Sequence, residues 1–290
     1  MTQNAIEIER ELGIVVERMP AFPKSVQRIL ELTRRVDCSP KDLVGIIEKD
    51  PVITLKVLRV INSAQLSLPT KITSINQSVV YLGVNTIKNL ALSIAAIGIL
   101  PASNAAGFDI DRYLLHSLTT ATLARQLCAL YANGEADPGD CYIAGLLHDF
   151  GKIVFARFKP EQFGQVLARC AAETGLSSHH AEQALIGADH TLVGAMLAAK
   201  WQFPAPLVEC IRNHHSPAAP ASAMSDCLRM ADLISRLSNQ GDSEHPYREG
   251  EAPINPQRFG PDLDRVIASL GDLDKLIAEA RGFAQAGRAS

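Results

Sequence analysis

The chain has 290 residues, which is enough for one large domain or two smaller ones with a sizeable core. Hydrophobic residues make up 47% of it and aromatic residues only 5%, so the core is expected to be aliphatic, which predicts an all-α fold of packed helices. With a formal net charge of -3, no overall positive field attracts nucleic acid or anionic lipid.

The first part of the chain, residues 1–100, is predicted to be a helical N-terminal subdomain. Ser39-Pro40 and Asp50-Pro51 each place a capping side chain before a proline that suits the first helical turn, so helices are predicted to begin there. Ser74-Ile75-Asn76-Gln77 has the layout of a capping box, and the helix that it opens is predicted to end near Gly83.

A polar hinge at residues 101–109 precedes a second helical region, residues 109–238, which contains every candidate ligand. The remaining residues, 239–290, are predicted to form a polar loop to about residue 260. A final pair of short helices, near 261–284, is then predicted to pack back on the domain.

Two features of the sequence indicate where in the cell the protein is expected. The longest apolar stretch, Leu90–Leu100, is too short to cross a bilayer and predicts a buried helix. The six cysteines form no C-x-x-C pair, and the N-terminus lacks the layout of a secretory signal. Reduced thiols, a cytoplasmic location and no membrane partner are therefore expected.

Candidate metal ligands are the most informative feature of the chain. His148 and Asp149 are adjacent at the end of an apolar run, and Lys152 lies about one helical turn further on. A neighbouring imidazole and carboxylate can bind one divalent cation, and a nearby lysine can contact a bound phosphate. The other candidates lie on predicted helices or at their ends: His116, His190, His214, His215 and Asp232. Mixed nitrogen and oxygen ligands admit Fe, Mn, Zn, Co or Ni, and the sequence does not distinguish among these metals.

Each candidate also has an ordinary interpretation. A single histidine on a helix is more often a hydrogen-bonded or surface group than a ligand, and Lys152 by itself would be a solvated lysine. His179 and His180 lie at a loop-like helix start and are assigned to this ordinary class.

The combined pattern resembles the HD superfamily of metal-dependent phosphohydrolases, in which a histidine, a His-Asp pair and a distant aspartate bind metal. The resemblance implies that His116, His148-Asp149 and Asp232 form this set. It also implies that His190 and the His214-His215 pair correspond to the extra ligands of dinuclear members, so one or two divalent ions are expected. Lys152 matches the lysine of the His-Asp-x-Gly-Lys signature, and the implied catalytic residues are Asp149 and Lys152.

Further motifs narrow the resemblance to the HDOD family over roughly residues 15–240. They are Met19-Pro20-Ala21-Phe22-Pro23, Asp50-Pro51, the segments 57–64 and 72–75, Tyr81-Leu82-Gly83, Asp189-His190, Gly194-Ala195 and Trp201. HDOD proteins resemble an HD phosphohydrolase fused to a helical N-terminal subdomain, and many have lost metal ligands. Here every position of the ligand set that the resemblance implies is occupied by a suitable residue, but no Gly-Tyr-Pro segment of the HD-GYP phosphodiesterases follows His214-His215.

Two functions follow from this resemblance. The first is a bacterial signal-transduction or regulatory protein that retains an HD-type metal site and binds a signalling protein or a nucleotide. The second is a metal-dependent phosphohydrolase or phosphodiesterase acting on a nucleotide or cyclic dinucleotide, although family membership alone does not establish turnover. A helix-turn-helix in which Lys56 and Arg59 face DNA is disfavoured, because two basic residues attract DNA only weakly. No DNA partner is expected.

Overall fold

The computed structural model describes residues 3–33, 39–62, 71–173, 175–216, 221–238 and 255–288. Every regular element in these residues is a helix, which confirms the all-α class. In chain order the helices are α1 Gln3–Glu17, α2 Lys24–Thr33, α3 Pro40–Glu48, α4 Pro51–Ile61, α5 Ile75–Leu82, α6 Val84–Ile99, α7 Ile110–Tyr131, α8 Pro138–Leu147, α9 Phe150–Phe158, α10 Pro160–Ala172, α11 Ser178–Leu185, α12 His190–Lys200, α13 Ala205–Arg212, α14 Ala223–Ser238, α15 Pro256–Phe259, α16 Leu263–Ser269 and α17 Leu273–Arg288.

The chain forms two compact units that are each discontinuous in sequence. The larger unit comprises residues 1–19 and 101–272, and the smaller unit comprises residues 20–100 and 273–290. Helix α17 contacts α4 and α6 within the smaller unit, whereas α1 contacts α9 and α12 within the larger one. The domain boundaries expected from the sequence stay predictions.

Capping side chains begin the helices of the smaller unit where the sequence predicts them. The Ser39 hydroxyl and the Asp50 carboxylate accept backbone N–H groups at the starts of α3 and α4. The Ser74 hydroxyl accepts the backbone N–H of Gln77 at the start of α5. The Gln77 side chain, however, accepts the backbone N–H of Thr73 at 3.0 Å, so the second bond of this predicted capping box falls one residue early.

Helix α6 confirms the buried helix predicted for the longest apolar stretch, because nearly all of its residues from Ile87 onward are buried. Among the described residues, no helix combines the length and the apolar character that crossing a bilayer requires. The five described cysteines are free thiols, and Cys38 lies outside the described residues.

The predicted loop of residues 239–260 lies mostly outside the described residues, namely from 239 to 254, and α15 occupies part of the rest. The two predicted final helices are present as α16 and α17. Val266 on α16 is buried, whereas the other apolar side chains predicted to pack back are only partly buried, namely Leu263, Ile267, Leu273, Leu276 and Ile277.

Helices α7, α8 and α14 pack together in the larger unit and bring three parts of the candidate site into one bundle. The Asp109 carboxylate caps α7, and the Asp137 carboxylate caps α8 ahead of Pro138. A Cβ atom at Gly145 would lie 2.6 Å from the Cα atom of Ala121, so α8 approaches the backbone of α7 directly. This approach lets the C-terminal end of α8 meet the middle of α7.

Replacement of Asp50 tests the capping interpretation. Its carboxylate accepts the backbone N–H groups of Val52 and Ile53 and also the hydroxyl of Ser25 at 2.7 Å. We expect Asp50→Ala to lower the free energy of unfolding by about 1 kcal/mol, whereas Asp50→Asn, which keeps a side-chain oxygen, loses much less. Urea denaturation of both variants measures the difference, and equal losses would contradict the capping role.

Candidate metal centre

The structure brings all seven predicted metal ligands together within the larger unit. They come from helices and helix ends that are far apart in sequence: His116 within α7, His148 at the end of α8, Asp149 just before α9, His190 at the start of α12, His214 and His215 after α13, and Asp232 within α14. Their assignment as ligands stays a prediction, but their proximity is a property of the fold.

The Asp149 carboxylate lies at the centre of the cluster and faces a different set of imidazoles with each oxygen. Its Oδ2 atom is 3.3 Å from Nε2 of His148 and 3.7 Å from Nε2 of His116. Its Oδ1 atom is 3.0 Å from Nε2 of His190 and 3.7 Å from Nε2 of His214. Two groups of potential ligands, each with atoms within 4.8 Å of one another, therefore share Asp149.

The remaining two predicted ligands complete the two groups. Nε2 of His215 is 3.2 Å from Nε2 of His190, which places His215 in the second group. Oδ1 of Asp232 is 3.3 Å from Nε2 of His116 and 3.9 Å from Nε2 of His148, so Asp232 lies beside the first group. Its other oxygen accepts a hydrogen bond from Arg236 at 2.6 Å.

Four of the imidazoles, those of His116, His148, His190 and His214, turn Nε2 inward while Nδ1 contacts another atom of the protein. Nδ1 of His148 donates to the carbonyl of Gly145 at 2.8 Å, and Nδ1 of His214 donates to the carbonyl of Ile211 at 2.7 Å. A carbonyl only accepts, so Nδ1 carries the hydrogen and Nε2 of the neutral ring presents a lone pair. The inward contacts therefore bring acceptor atoms together, an arrangement that a divalent cation satisfies.

Asp149 adds a second sign that the cluster fits a cation. Its Oδ1 atom is buried among imidazoles, with Nε2 of His190 at 3.0 Å and Nε2 of His214 at 3.7 Å. A buried carboxylate oxygen needs a hydrogen-bond donor or a cation as its partner, and here a protonated His190 or a divalent ion can supply it. Buried imidazole nitrogens and a carboxylate are the ligand types that divalent transition metals prefer.

Charge and burial shift the pKa values of the cluster in opposite directions. Burial by itself raises the pKa of the Asp149 carboxyl, but electrostatic interactions with His148, Lys152 and His190 outweigh it and hold that pKa well below its usual range. Burial lowers the pKa of His214 to about 4 and that of His215 well below its ordinary value.

His190 differs from His214 and His215. Burial would lower its pKa, but the carboxylates of Glu182 and Asp149 raise the pKa to about 9. In the absence of a metal, His190 is therefore a cation at neutral pH. Its Nε2–H then faces Asp149.

Lys152 contacts the cluster directly. Its Nζ atom donates to Oδ2 of Asp149 at 2.7 Å, and the residue is only 4% exposed. This position differs from that of a solvated surface lysine. The ammonium group compensates the charge of the carboxylate that both ligand groups share.

Two glycines allow the backbone around His190 to approach the His-Asp pair. A Cβ atom at Gly151 would overlap the carbonyl oxygen of His190. At Gly194, a Cβ atom would lie 3.6 Å from the carbonyl oxygen of His148 and 3.3 Å from the side chain of Ile211. The glycine of the His-Asp-x-Gly-Lys signature is therefore required by the close crossing of α9 and α12.

Sequence reasoning left out several residues that contact the cluster. The ring of His179 stacks on that of His215 with 4.5 Å between centroids, whereas His180 is exposed and its Nδ1 contacts the hydroxyl of Ser177. Arg229 donates to the backbone carbonyls of the turn that carries His214, including that of Ser216 at 2.7 Å. The contacts of His179 and Arg229 have no local signal in the sequence, because each joins residues from different elements.

Glu182 is a further residue without a sequence signal. It is fully buried, and its carboxylate contacts both the backbone and the ring of His190. The sequence around Glu182 predicts an ordinary polar position on a short amphipathic helix, because no local pattern indicates that this face of α11 is buried.

Comparison with known proteins places these features in context. The sequence model of the HDOD domain family matches residues 19–217 of this chain. An HDOD domain protein from Geobacter sulfurreducens has a similar structure, with a TM-score of 0.79 at 24% identity over 98% of both chains. A Shewanella amazonensis protein provisionally named a phosphohydrolase has a TM-score of 0.70 at 24% identity, covering 95% of this chain and 97% of its own. These structures establish the fold that the chain shares with them.

Two longer proteins are also similar. A Marinobacter aquaeolei protein provisionally named a signal transduction protein has a TM-score of 0.81 at 22% identity, covering 98% of this chain and 66% of its own. An uncharacterized protein of Treponema pallidum is 28% identical over 242 residues, which are 81% of this chain and 45% of that protein. The chain therefore spans less than half the length of this relative.

Substitution of Gly151 tests the close crossing. We expect Gly151→Ala to lower the free energy of unfolding by about 1–3 kcal/mol, because the new methyl group must displace the His190 backbone. Gly45→Ala is the matched control, since a Cβ atom there meets nothing within 4 Å, and it is expected to be neutral or slightly stabilising. Chemical denaturation measures the free energy of unfolding of both variants. An unchanged value for Gly151→Ala would show that α9 and α12 can move apart without cost, which would contradict this prediction.

Metal binding is expected to release protons at pH 7. At pH 7 and without metal, both ring nitrogens of His190 carry a hydrogen, because its pKa is raised to about 9. A nitrogen that coordinates a metal must release its hydrogen. The apparent affinity for a divalent cation should therefore increase between pH 7 and pH 9. Titration calorimetry in two buffers of different ionisation enthalpy measures the protons released, and an affinity independent of pH would contradict this prediction.

Proposed function

The chain belongs to the HDOD family, and from this membership we propose that it is a regulatory protein of bacterial signalling that has retained an HD-type metal site. The family match spans more than half of the chain, and the regular elements described are helices throughout. The name of the similar Marinobacter protein, a provisional signal transduction protein, agrees with such a role.

The buried cluster around Asp149 carries this proposal. Imidazole nitrogens and carboxylate oxygens from five parts of the chain converge there, with the outer nitrogens of His148 and His214 tied to backbone carbonyls. Outer contacts of this kind fix the tautomer and the direction of a metal-binding ring. Without a cation, the inward Nε2 atoms of His148 and His214 would be buried as acceptors facing other acceptors.

We assign the ligands to two positions that share Asp149. His116, His148 and Asp232 with Asp149 would hold one ion, and His190, His214 and His215 with Asp149 would hold another. Fe, Mn, Zn, Co and Ni all suit mixed nitrogen and oxygen ligands, so availability selects the metal. A divalent cation there supplies Lewis acidity toward a phosphate oxygen and activates water.

The position of Lys152 favours a regulatory role over turnover. Its ammonium group is buried and bound to Asp149, so in this arrangement it balances the charge of the carboxylate. Contact with a phosphate would require Nζ to leave that carboxylate. We therefore propose that the metal-loaded site stabilises the fold and senses a nucleotide or supports binding of a signalling protein.

A metal-dependent phosphohydrolase or phosphodiesterase is the second candidate. The complete set of HD-type ligands supports it, because degenerate members of the family lack some of them. In this function Asp149 and Lys152 would be the catalytic residues, and a nucleotide or cyclic dinucleotide would be the substrate. The similar Shewanella protein is provisionally named for this activity.

Metal analysis of the purified, untagged chain tests the proposal without a known substrate. We expect about one to two equivalents of a divalent transition metal, lost in the double variant His148→Ala/Asp149→Ala. Chelation should lower the melting temperature of the unmodified chain only, because a ligand that binds the folded state stabilises it by mass action. His180→Ala is the control, since this exposed histidine contacts Ser177 and lies outside both ligand groups.

Two outcomes would change the interpretation. An absence of bound metal after reconstitution with Mn, Fe and Zn would contradict a retained site. Hydrolysis of a phosphodiester or nucleotide that disappears in Asp149→Ala would replace the regulatory function with the enzymatic one.

A further inference from the structure

Glu182 is a fully buried carboxylate on α11 that binds His190 twice through one oxygen. Oε2 accepts the backbone N–H of His190 at 2.7 Å and the ring Nδ1–H at 2.6 Å. We propose that Glu182 is a positioning residue, which fixes the orientation and the proton position of the His190 ring and so determines which nitrogen His190 presents to a metal. The metal part of this inference depends on the proposed function, whereas the positioning of the ring does not.

The chemistry of the contact determines which nitrogen faces inward. An ionised carboxylate only accepts hydrogen bonds, so the hydrogen stays on Nδ1. Nε2 is then directed at Oδ1 of Asp149 at 3.0 Å and at the Nε2 atoms of His214 and His215. Rotation of the ring would break the shorter of the two bonds to Glu182, while the backbone bond holds the start of α12 in place.

The location of His190 explains why a distant side chain is needed. His148 and His214 each donate Nδ1–H to a carbonyl three residues earlier in their own helix or turn. His190 is the first residue of α12, so no preceding turn of that helix provides such a carbonyl. Glu182, eight residues earlier on α11, supplies the acceptor instead and adds a negative charge that makes the ring a stronger ligand.

The burial of Glu182 is difficult to explain by stability alone. The residue is 0% exposed, and its Oε1 atom accepts no hydrogen bond within the described residues. A buried carboxylate is costly unless it is paired and satisfied, and buried ion pairs often add little to stability. A role in directing the ring of His190 accounts for a carboxylate at this position.

Proton NMR of the metal-free chain labelled with 15N-histidine tests the positioning directly. A short bond from an imidazole to a buried carboxylate gives a low-field Nδ1–H resonance. We expect this resonance to move upfield in Glu182→Gln, whose neutral oxygen is a weaker acceptor, and to disappear in Glu182→Ala. The Nδ1–H resonances of His148 and His214 should persist, which a general loss of structure would not allow.

Titration with Co²⁺, followed by its absorption spectrum, tests the consequence for metal binding. We expect Glu182→Ala to weaken the binding of one Co²⁺ ion by about 10–100-fold and Glu182→Gln to recover part of the loss. Glu161→Ala, at an exposed position of α10, is the matched control and should bind Co²⁺ like the unmodified chain.

The outcomes separate this inference from the proposed function. A low-field resonance and a Co²⁺ affinity that are both unchanged in Glu182→Ala would overturn the positioning role. If the unmodified chain binds no Co²⁺, the proposed metal site fails, and the NMR result alone then decides the role of Glu182. If Glu182→Ala does not fold, the isosteric Glu182→Gln variant decides it by the presence or absence of the upfield shift.

Discussion

Burial of the Asp149 carboxylate is the constraint on which the candidate site depends. An ionised carboxylate in a low-dielectric interior is stable only if charges and hydrogen-bond donors surround it. Here Lys152 contacts one oxygen, and imidazoles from separate helices face both. Side chains from the middle of α7, the end of α8 and the start of α12 therefore meet at this residue, and the two groups of potential ligands share it.

Close backbone packing makes this arrangement possible. Gly145 lets α8 approach α7, and Gly151 lets α9 approach the start of α12. A Cβ atom at either position would overlap the backbone of the facing helix. The glycine after the His-Asp pair thus has a steric function, which is distinct from the chemical functions of its neighbours.

The outer contacts of the imidazoles give the rings defined orientations within this cluster. Local carbonyls direct His148 and His214, the hydroxyl of Ser235 contacts Nδ1 of His116 at 3.0 Å, and Glu182 directs His190. These contacts hold the rings with Nε2 inward. A bound cation would therefore meet ligands that need little reorganisation, which favours binding.

Local chemistry in the sequence determined the helical class, the helix starts at Ser39, Asp50 and Ser74, and the list of candidate ligands. Capping and periodicity act over a few residues, so they can be read without the fold. The tertiary structure alone decided that Lys152 binds Asp149, that Glu182 is buried against His190 and that His179 stacks on His215. The last two of these contacts join different elements, and all three depend on burial, which is set by the packing of helices that are distant in sequence.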